Sequence, residues 1–204
     1  VPVVGCDCAV CTSDDPRNRR TRHGLVLASD ATTLLVDTPP ELRLQLLAAG
    51  VTGVDAVFLT HPHADHVHGI DDLRVFAVHG RESLPVHVAS RYEDELRRRF
   101  DYFLGPDAAS QPGTTIPGID LVLFEDRQEI VAGGIPLTTI AFPHGNYDSY
   151  GFRTGDLAVI VDGKRVPDDA WGLLEGARTL VINALWFGKT HPTHFNVEEA
   201  VAVA

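Results

Sequence analysis

Four side chains able to hold a metal ion stand within six consecutive residues, His61-Pro62-His63-Ala64-Asp65-His66. Imidazole nitrogens combined with a carboxylate suit zinc, manganese or iron, and affinity order alone does not choose among them. Alternate residues of an extended segment point the same way, so His61 and His63 can address one ion. Asp65 and His66 fall where the chain turns into the next helix and face a neighbouring ion. A softer ligand set, Cys6, Cys8 and Cys11, lies near the start of the chain in the spacing C-x-C-x-x-C. Three thiols this close make no clean set of disulfides, and an odd count argues against a secreted disulfide scaffold. They suit a structural zinc that takes a fourth ligand from elsewhere; reduced, inert cysteines are the other reading. Later in the chain, His144 follows Phe142-Pro143, Asp162 precedes Gly163, and His191-Pro192-Thr193-His194 brings two more imidazoles.

The apolar run 55–60 reads as a buried strand that delivers the histidine cluster at its end, where open α/β architectures bind ligands. Before it, 25–28 and 33–36 read as strands joined by a turn at Ser29-Asp30, with Asp37 closing the second. Residues 41–49 form a Leu-rich amphipathic helix stopped by Gly50. After the cluster, 67–78 reads as a helix carrying His68, Asp71, Asp72, Arg74 and His79, of which His68 is best placed to touch a substrate. A strand over 85–89, a charged helix over 91–103 and a Gly/Pro-rich loop over 105–118 follow. The second half is β-rich, with strands over 119–124, 128–131, 136–142, 149–153 and 157–161. His144 and Asp162 stand at two of their ends, the same kind of position as the first cluster. A helix over 167–176, a strand over 179–183 and a helix capped by Asn196 complete the reading.

The length of 204 residues fits one domain, and 44% hydrophobic with 22% charged residues describes a globular chain. No apolar run reaches the ~18 residues of a membrane helix, and no signal peptide is evident. The net charge of −11, from 17 basic and 28 acidic residues, disfavours nucleic acid as a main partner. Arg17, Arg19, Arg20 and Arg22 are a local exception, read as a solvated loop or as an edge that faces phosphate.

The string His61-x-His63-x-Asp65-His66 resembles the HxHxDH signature of the metallo-β-lactamase-fold hydrolases. The resemblance implies a four-layer αββα sandwich, one domain over 1–204 that is incomplete at both termini. It places His61, His63 and His144 on a first divalent ion and Asp65 and His66 on a second. Asp162 bridges them, Asp156 being a rival in the preceding turn, and Asp37 supports the site without ligating. The opening segment Val1-Pro2-Val3-Val4-Gly5-Cys6-Asp7-Cys8-Ala9-Val10-Cys11 resembles that of the phosphoribosyl cyclic phosphate phosphodiesterases of the carbon–phosphorus lyase pathway. That implies hydrolysis of a small cyclic phosphodiester by a hydroxide shared between two zinc or manganese ions, with a separate structural zinc on the cysteines. In the related ribonuclease Z group a His ahead of a Glu-Ala helix start lies beside the scissile phosphate. This makes His194 a phosphate-contacting general acid, with His191 a second candidate and Asp65 completing the catalytic set.

The same family carries a Thr-His-x-x-His element, expected beyond residue 204, that adds one His to the second ion and one to the structural zinc. On that expectation the 204 residues alone bind the second ion weakly and turn over little substrate. A tRNA 3′-processing nuclease, a lactamase, a thioesterase and a non-catalytic metal-binding accessory protein are the competing readings. A cytoplasmic setting and a homodimer are compatible with these expectations.

Overall fold

The computed structural model describes residues 1–77, 83–109, 112 and 116–204. Among the described residues, ten strands form two five-stranded sheets. The first runs in the order β1 (Leu25–Ala28), β2 (Thr33–Val36), β3 (Ala56–Phe58), β4 (Leu84–Ala89), β5 (Ile119–Phe124); only the β1–β2 hairpin is antiparallel. The second runs β10 (Thr179–Ile182), β9 (Leu157–Ile160), β8 (Tyr147–Thr154), β7 (Ile135–His144), β6 (Glu129–Ala132), antiparallel except for β9–β10.

The sheets pack face to face because each presents an apolar face. Phe58 of β3 stacks on Phe124 of β5 at 5.0 Å and meets Phe152 of β8 edge-on at 5.1 Å, which ties one sheet to the other. Each such buried ring contributes about 1.5–3 kcal/mol by leaving water. On the outer face of the first sheet lie α1 (Leu42–Ala49), α2 (Ala64–Val67), α3 (Arg74–Ala77), α4 (Glu93–Arg99) and α5 (Asp101–Leu104). They bury Leu42, Leu46, Val67 and Leu96 in the main core. Outside the second sheet, α6 (Trp171–Leu174) and α7 (Val197–Val203) cover a smaller core of Ile140, Phe142, Ile160, Phe195 and Ala200. Two helical layers around two sheets make the αββα sandwich. Among the described residues no helix is long and apolar enough to cross a membrane.

Helices expected to be continuous are broken. In place of one helix over 67–78, α2 ends at Val67 and a 3₁₀ turn, Ile70–Leu73, leads into α3. Gly69 sits so close to Pro39 that a Cβ there would lie 2.1 Å from its carbonyl oxygen. The backbone bonds of this stretch are diverted to that neighbour: Gly69 N–H donates to Thr38 O at 2.8 Å and Thr38 N–H to His66 O at 2.7 Å. His79 lies outside the described residues. The charged helix over 91–103 breaks at Phe100, where φ −120° and ψ 43° leave the helical region. The helix over 167–176 is reduced to a 3₁₀ turn, Asp168–Ala170, followed by α6.

Other boundaries follow ordinary capping. Gly50 ends α1 in the left-handed region at φ 65°. Asn196 opens α7 in a reciprocal capping box, its side chain accepting from Glu199 N–H at 2.7 Å and Glu199 accepting from Asn196 N–H at 3.0 Å. The functional consequence of the topology is one crowded edge. β2 and β3 run parallel, and β7, β9 and β10 share a direction. His144 is the last residue of β7, and Asp37, the 60–66 segment and Asp162 begin one or two residues past their strands.

Candidate metal centre

The strand ends bring the ligand-type side chains into three overlapping groups: His61, His63 and His144; His61, His66 and Asp162; and His144, Asp162 and His194. Within each group the candidate donor atoms lie within 4.8 Å of one another. In the first, His63 Nδ1 stands 2.9 Å from His61 Nε2 and 3.2 Å from His144 Nε2. In the second, Asp162 is 2.9 Å from His66 Nε2 and 3.8 Å from His61 Nε2. His194 Nε2 is 3.5 Å from the same carboxylate. Asp65 is more peripheral, its carboxylate 3.6 Å from His66 Nε2 and half exposed.

Partners behind the ligands determine which ring nitrogen carries a lone pair. Asp37 is fully buried and accepts from Thr60 N–H at 2.8 Å, from Thr60 Oγ1 at 2.9 Å and from His66 Nδ1 at 2.7 Å. His66 therefore keeps its proton on Nδ1 and turns Nε2 toward Asp162. Because Thr60 Oγ1 donates to Asp37, it accepts from His61 Nδ1 at 3.0 Å, leaving His61 Nε2 to face His63. His144 Nδ1 donates to Thr193 O at 2.9 Å, leaving its Nε2 as an acceptor. Asp37 and Asp162 both adopt left-handed backbone, φ 63° and 53°, a conformation Asp tolerates better than most residues. It turns each chain sharply as it leaves its strand.

The electrostatics suit a cation. Burial, followed by the nearby His66, holds His61 well below the usual imidazole range. Burial likewise lowers His63 and His144. The lone pairs of His61 Nε2 and His144 Nε2 thus both point toward His63 Nδ1, at 2.9 and 3.2 Å, a gathering of ring nitrogens that a cation could link. Burial opposes the charge of His66, but Asp37 and Asp162 on either side raise it to about 10. Asp162 is held far below the usual carboxylate range despite its burial, by its hydrogen bonds to His194 and His66. The chemistry of this donor set fits divalent cations, which His61, His63 and His144 on one side and His66 and Asp162 on the other could hold.

Cys6, Cys8 and Cys11 also gather within 4.8 Å of one another, as free thiols. Val3 N–H points at Cys11 Sγ at 3.4 Å and Cys11 N–H at Cys8 Sγ at 3.5 Å. The backbone N–H of Cys11, then the thiols of Cys6 and Cys11, lower Cys8 to about 7. Such a nest of amides and thiolates suits a soft cation, and no fourth donor joins it among the described residues.

The remaining expected residues are placed as follows. His191 stands behind His194, with their Nδ1 atoms 3.1 Å apart. His68 is exposed and packs edge-on against Phe100, away from the ligand groups. Asp156 pairs loosely with Arg178 in an exposed turn. Arg17, Arg19 and Arg22 are matched by Asp15, Asp14 and Glu41. Sequence reasoning missed four contributors. Thr60 and Thr193 act through hydroxyl and carbonyl groups that carry no motif. Tyr147 packs its ring on His63 at 4.7 Å, brought there by the β7–β8 hairpin. His23, in the loop before β1, buries an Nε2 that makes no hydrogen bond and lies 3.8 Å from Asp37. A cavity of about 480 Å³ opens onto the site, lined by His63, Asp65, His144, Tyr147, Asp162 and His194 among others.

Comparison with known proteins places this geometry. The model of the Beta-lactamase superfamily domain matches residues 32–204. An octanoyltransferase of Porphyromonas gingivalis is 35% identical over 202 residues, covering 98% of this chain and 40% of that protein. A ribonuclease Z of Bradyrhizobium sp. (strain ORS 278) is 30% identical over 142 residues, 68% of this chain and 45% of that protein. The chain thus spans less than half the length of these curated relatives. A crystal structure described as a new diphosphatase from the PhnP family superposes with a TM-score of 0.86 and 32% identity, over 100% of this chain and 76% of that one.

Proposed function

This chain belongs to the β-lactamase superfamily and has the fold of its metal-dependent hydrolases, and within that family we propose that it hydrolyses a small phosphodiester of the sugar cyclic phosphate class. The observation that carries this reading is the pair of adjacent ligand groups, His61/His63/His144 and His61/His66/Asp162, with His194 at their edge. We assign Asp65 to the second group as an outer ligand. Zinc and manganese both suit these donors, and the cysteine nest is assigned to a structural zinc. Divalent cations held there would polarise a phosphoryl oxygen, clamp attacking and leaving oxygens, and bring the pKa of a water toward ~7.

The chain's own residues do the rest. His61 and His144 are held in one tautomer by Thr60 and Thr193, which points their Nε2 atoms to the site. His194 turns Nε2 to the cavity side of Asp162, in place to protonate a departing alkoxide. A cavity of about 480 Å³ has the size for a sugar phosphate. The charge of −11 weighs against a precursor tRNA, although ribonuclease Z is among the relatives. The octanoyltransferase name belongs to a protein of which this chain matches 40%, and the imidazole-rich site favours hydrolysis.

One rival has a specific basis: the superposed PhnP-family structure is described as a diphosphatase, so a phosphoanhydride is a second candidate bond. Metal-loaded protein given phosphoribosyl 1,2-cyclic phosphate, a sugar diphosphate diester, a precursor tRNA, a β-lactam and a thioester separates these readings. The cyclic phosphate should be turned over with the highest kcat/KM. Preference for the diphosphate would replace the phosphodiester reading, and turnover of the β-lactam or thioester alone would remove both.

A further inference from the structure

The segment after β10 holds a set of contacts that the two-ion reading does not use. Thr193 N–H donates to His191 Nδ1 at 3.3 Å. A backbone amide can only donate, so His191 Nδ1 is the unprotonated nitrogen of its ring. His194 Nδ1 lies 3.1 Å from that same atom. His191 is in none of the ligand groups, so no cation separates two lone pairs here, and the proton of this contact belongs to His194 Nδ1. Thr193 Oγ1 fits the same polarity, 2.9 Å from His194 Nδ1 as an acceptor and 3.2 Å from His191 Nδ1 as a donor. The hydrogen bonds thus lead from His194 Nδ1, directly and through Thr193 Oγ1, to the lone pair of His191 Nδ1.

His191 is itself held. The ring of Trp186 packs edge-on against it at 5.1 Å. Trp186 is pinned by its indole N–H, which donates to Lys189 O at 2.7 Å, and by its carbonyl, which accepts from Val197 N–H at 2.9 Å. The backbone of Phe195 ties the same segment to the Asp162 turn through a 2.9 Å bond from its N–H to Gly163 O.

We propose that His191, backed by Trp186, is a positioning residue that fixes the tautomer and ring orientation of His194, keeping a proton on Nδ1 and presenting Nε2 to the reacting group. This rests on the phosphodiesterase reading above for its chemical consequence. When the P–O bond to the leaving group breaks, the alkoxide takes the proton from Nε2 of the His194 imidazolium. The Nε2–H bond breaks, an O–H bond forms, and the ring becomes neutral with its remaining proton on Nδ1. That product is the tautomer His191 and Thr193 stabilise, so proton donation ends in a satisfied arrangement. His191 reaches no substrate in this scheme and is not itself a catalytic residue.

The test uses metal-loaded protein with ¹⁵N-labelled histidines, comparing wild type with His191→Leu and His191→Asn. Asn places a carbonyl oxygen close to the position of Nδ1 and can accept the same bond; Leu cannot. Expected ¹⁵N shifts show His194 Nδ1 protonated in wild type and in the Asn variant, and a loss of that single tautomer in the Leu variant. In turnover, Leu should lower kcat on an alkyl-leaving phosphodiester by roughly 10²-fold with KM little changed, and barely affect an aryl diester whose leaving group needs no proton. Asn should recover most of the loss. His194 in one Nδ1-protonated tautomer in the Leu variant would overturn the proposal. Should Leu fail to fold, Trp186→Phe, which loosens the same packing, gives the same two readouts. Should the tautomer shift without a leaving-group-selective loss, the positioning role stands and the general-acid part of the functional reading falls.

Discussion

Asp37 offers the sharpest test of how this site is held. It is fully buried, it is no member of the three ligand groups, and it accepts hydrogen bonds from Thr60 N–H, Thr60 Oγ1 and His66 Nδ1 at 2.7–2.9 Å. Asp37→Ala strands at least two buried donors, Thr60 N–H and His66 Nδ1–H. Each costs about 1–3 kcal/mol when left without a partner. Alanine at φ 63° adds about 1 kcal/mol of left-handed backbone strain. The sum is about 3–7 kcal/mol, which in a domain of this size lowers Tm by roughly 10–20 °C. Asp37→Asn behaves differently. Its Oδ1 still accepts from Thr60 N–H and Asn tolerates the backbone, so the stability loss stays near 1–2 kcal/mol. Its Nδ2, however, occupies the place of Oδ2 and must donate toward His66. The His66 proton then moves to Nε2, the nitrogen that faces Asp162. Metal affinity should fall about 10–100-fold, the usual effect of removing an outer partner of a ligating His. Urea unfolding of metal-free protein, with cobalt or zinc titration against a competing chelator, measures both quantities. An Asn variant with unchanged affinity, or an Ala variant within 1 kcal/mol of wild type, would refute the reasoning.

Three further outcomes follow from the geometry. His61 offers a single free nitrogen and shares a ligand group with His63 and His144, so His61→Ala and His63→Ala should each remove the first ion and leave measurable occupancy of the second; metal content after dialysis decides this. Cys8, lowered to about 7 by the Cys11 amide and the neighbouring thiols, should be alkylated in metal-free protein about ten-fold faster at pH 8 than at pH 6, in proportion to its thiolate fraction. Added zinc should suppress that reaction at both pH values, as read by mass spectrometry. Asn196→Ala removes the cap of α7 and a bond from its Nδ2 to Gly188 O, which should cost about 1–2 kcal/mol in urea unfolding.

The order of strands and helices was legible because burial writes a pattern. Runs such as 55–60 and 157–161 are apolar on both faces, and those strands do lie between layers. The histidine cluster was legible because four ligand-type residues in six positions have no structural need to be there. The breaks at Gly69 and Phe100 were not, since they answer to neighbours distant in sequence: the Pro39 carbonyl stands against Gly69, and Arg99 reaches Pro62 O. Helical periodicity runs straight through both points. The supporting residues were equally hidden. Nothing local distinguishes Thr60, Thr193 or His23 from any loop Thr or His, and Tyr147 falls just before the strand expected over 149–153.

By itself, then, the sequence determined which residue types are present to bind a cation, that they follow apolar strands, and that the thiols form a separate set. Only the tertiary structure decided how they are shared. Two sheets with parallel strand ends bring His144 to His63 across 81 positions of chain and bring Asp162 between His66 and His194. The direction of each hydrogen bond, from Thr60 to Asp37 and from Thr193 to His191, then decides which nitrogen of each ring faces the site. Proton positions follow from partners in space, and a linear spacing carries no information about them.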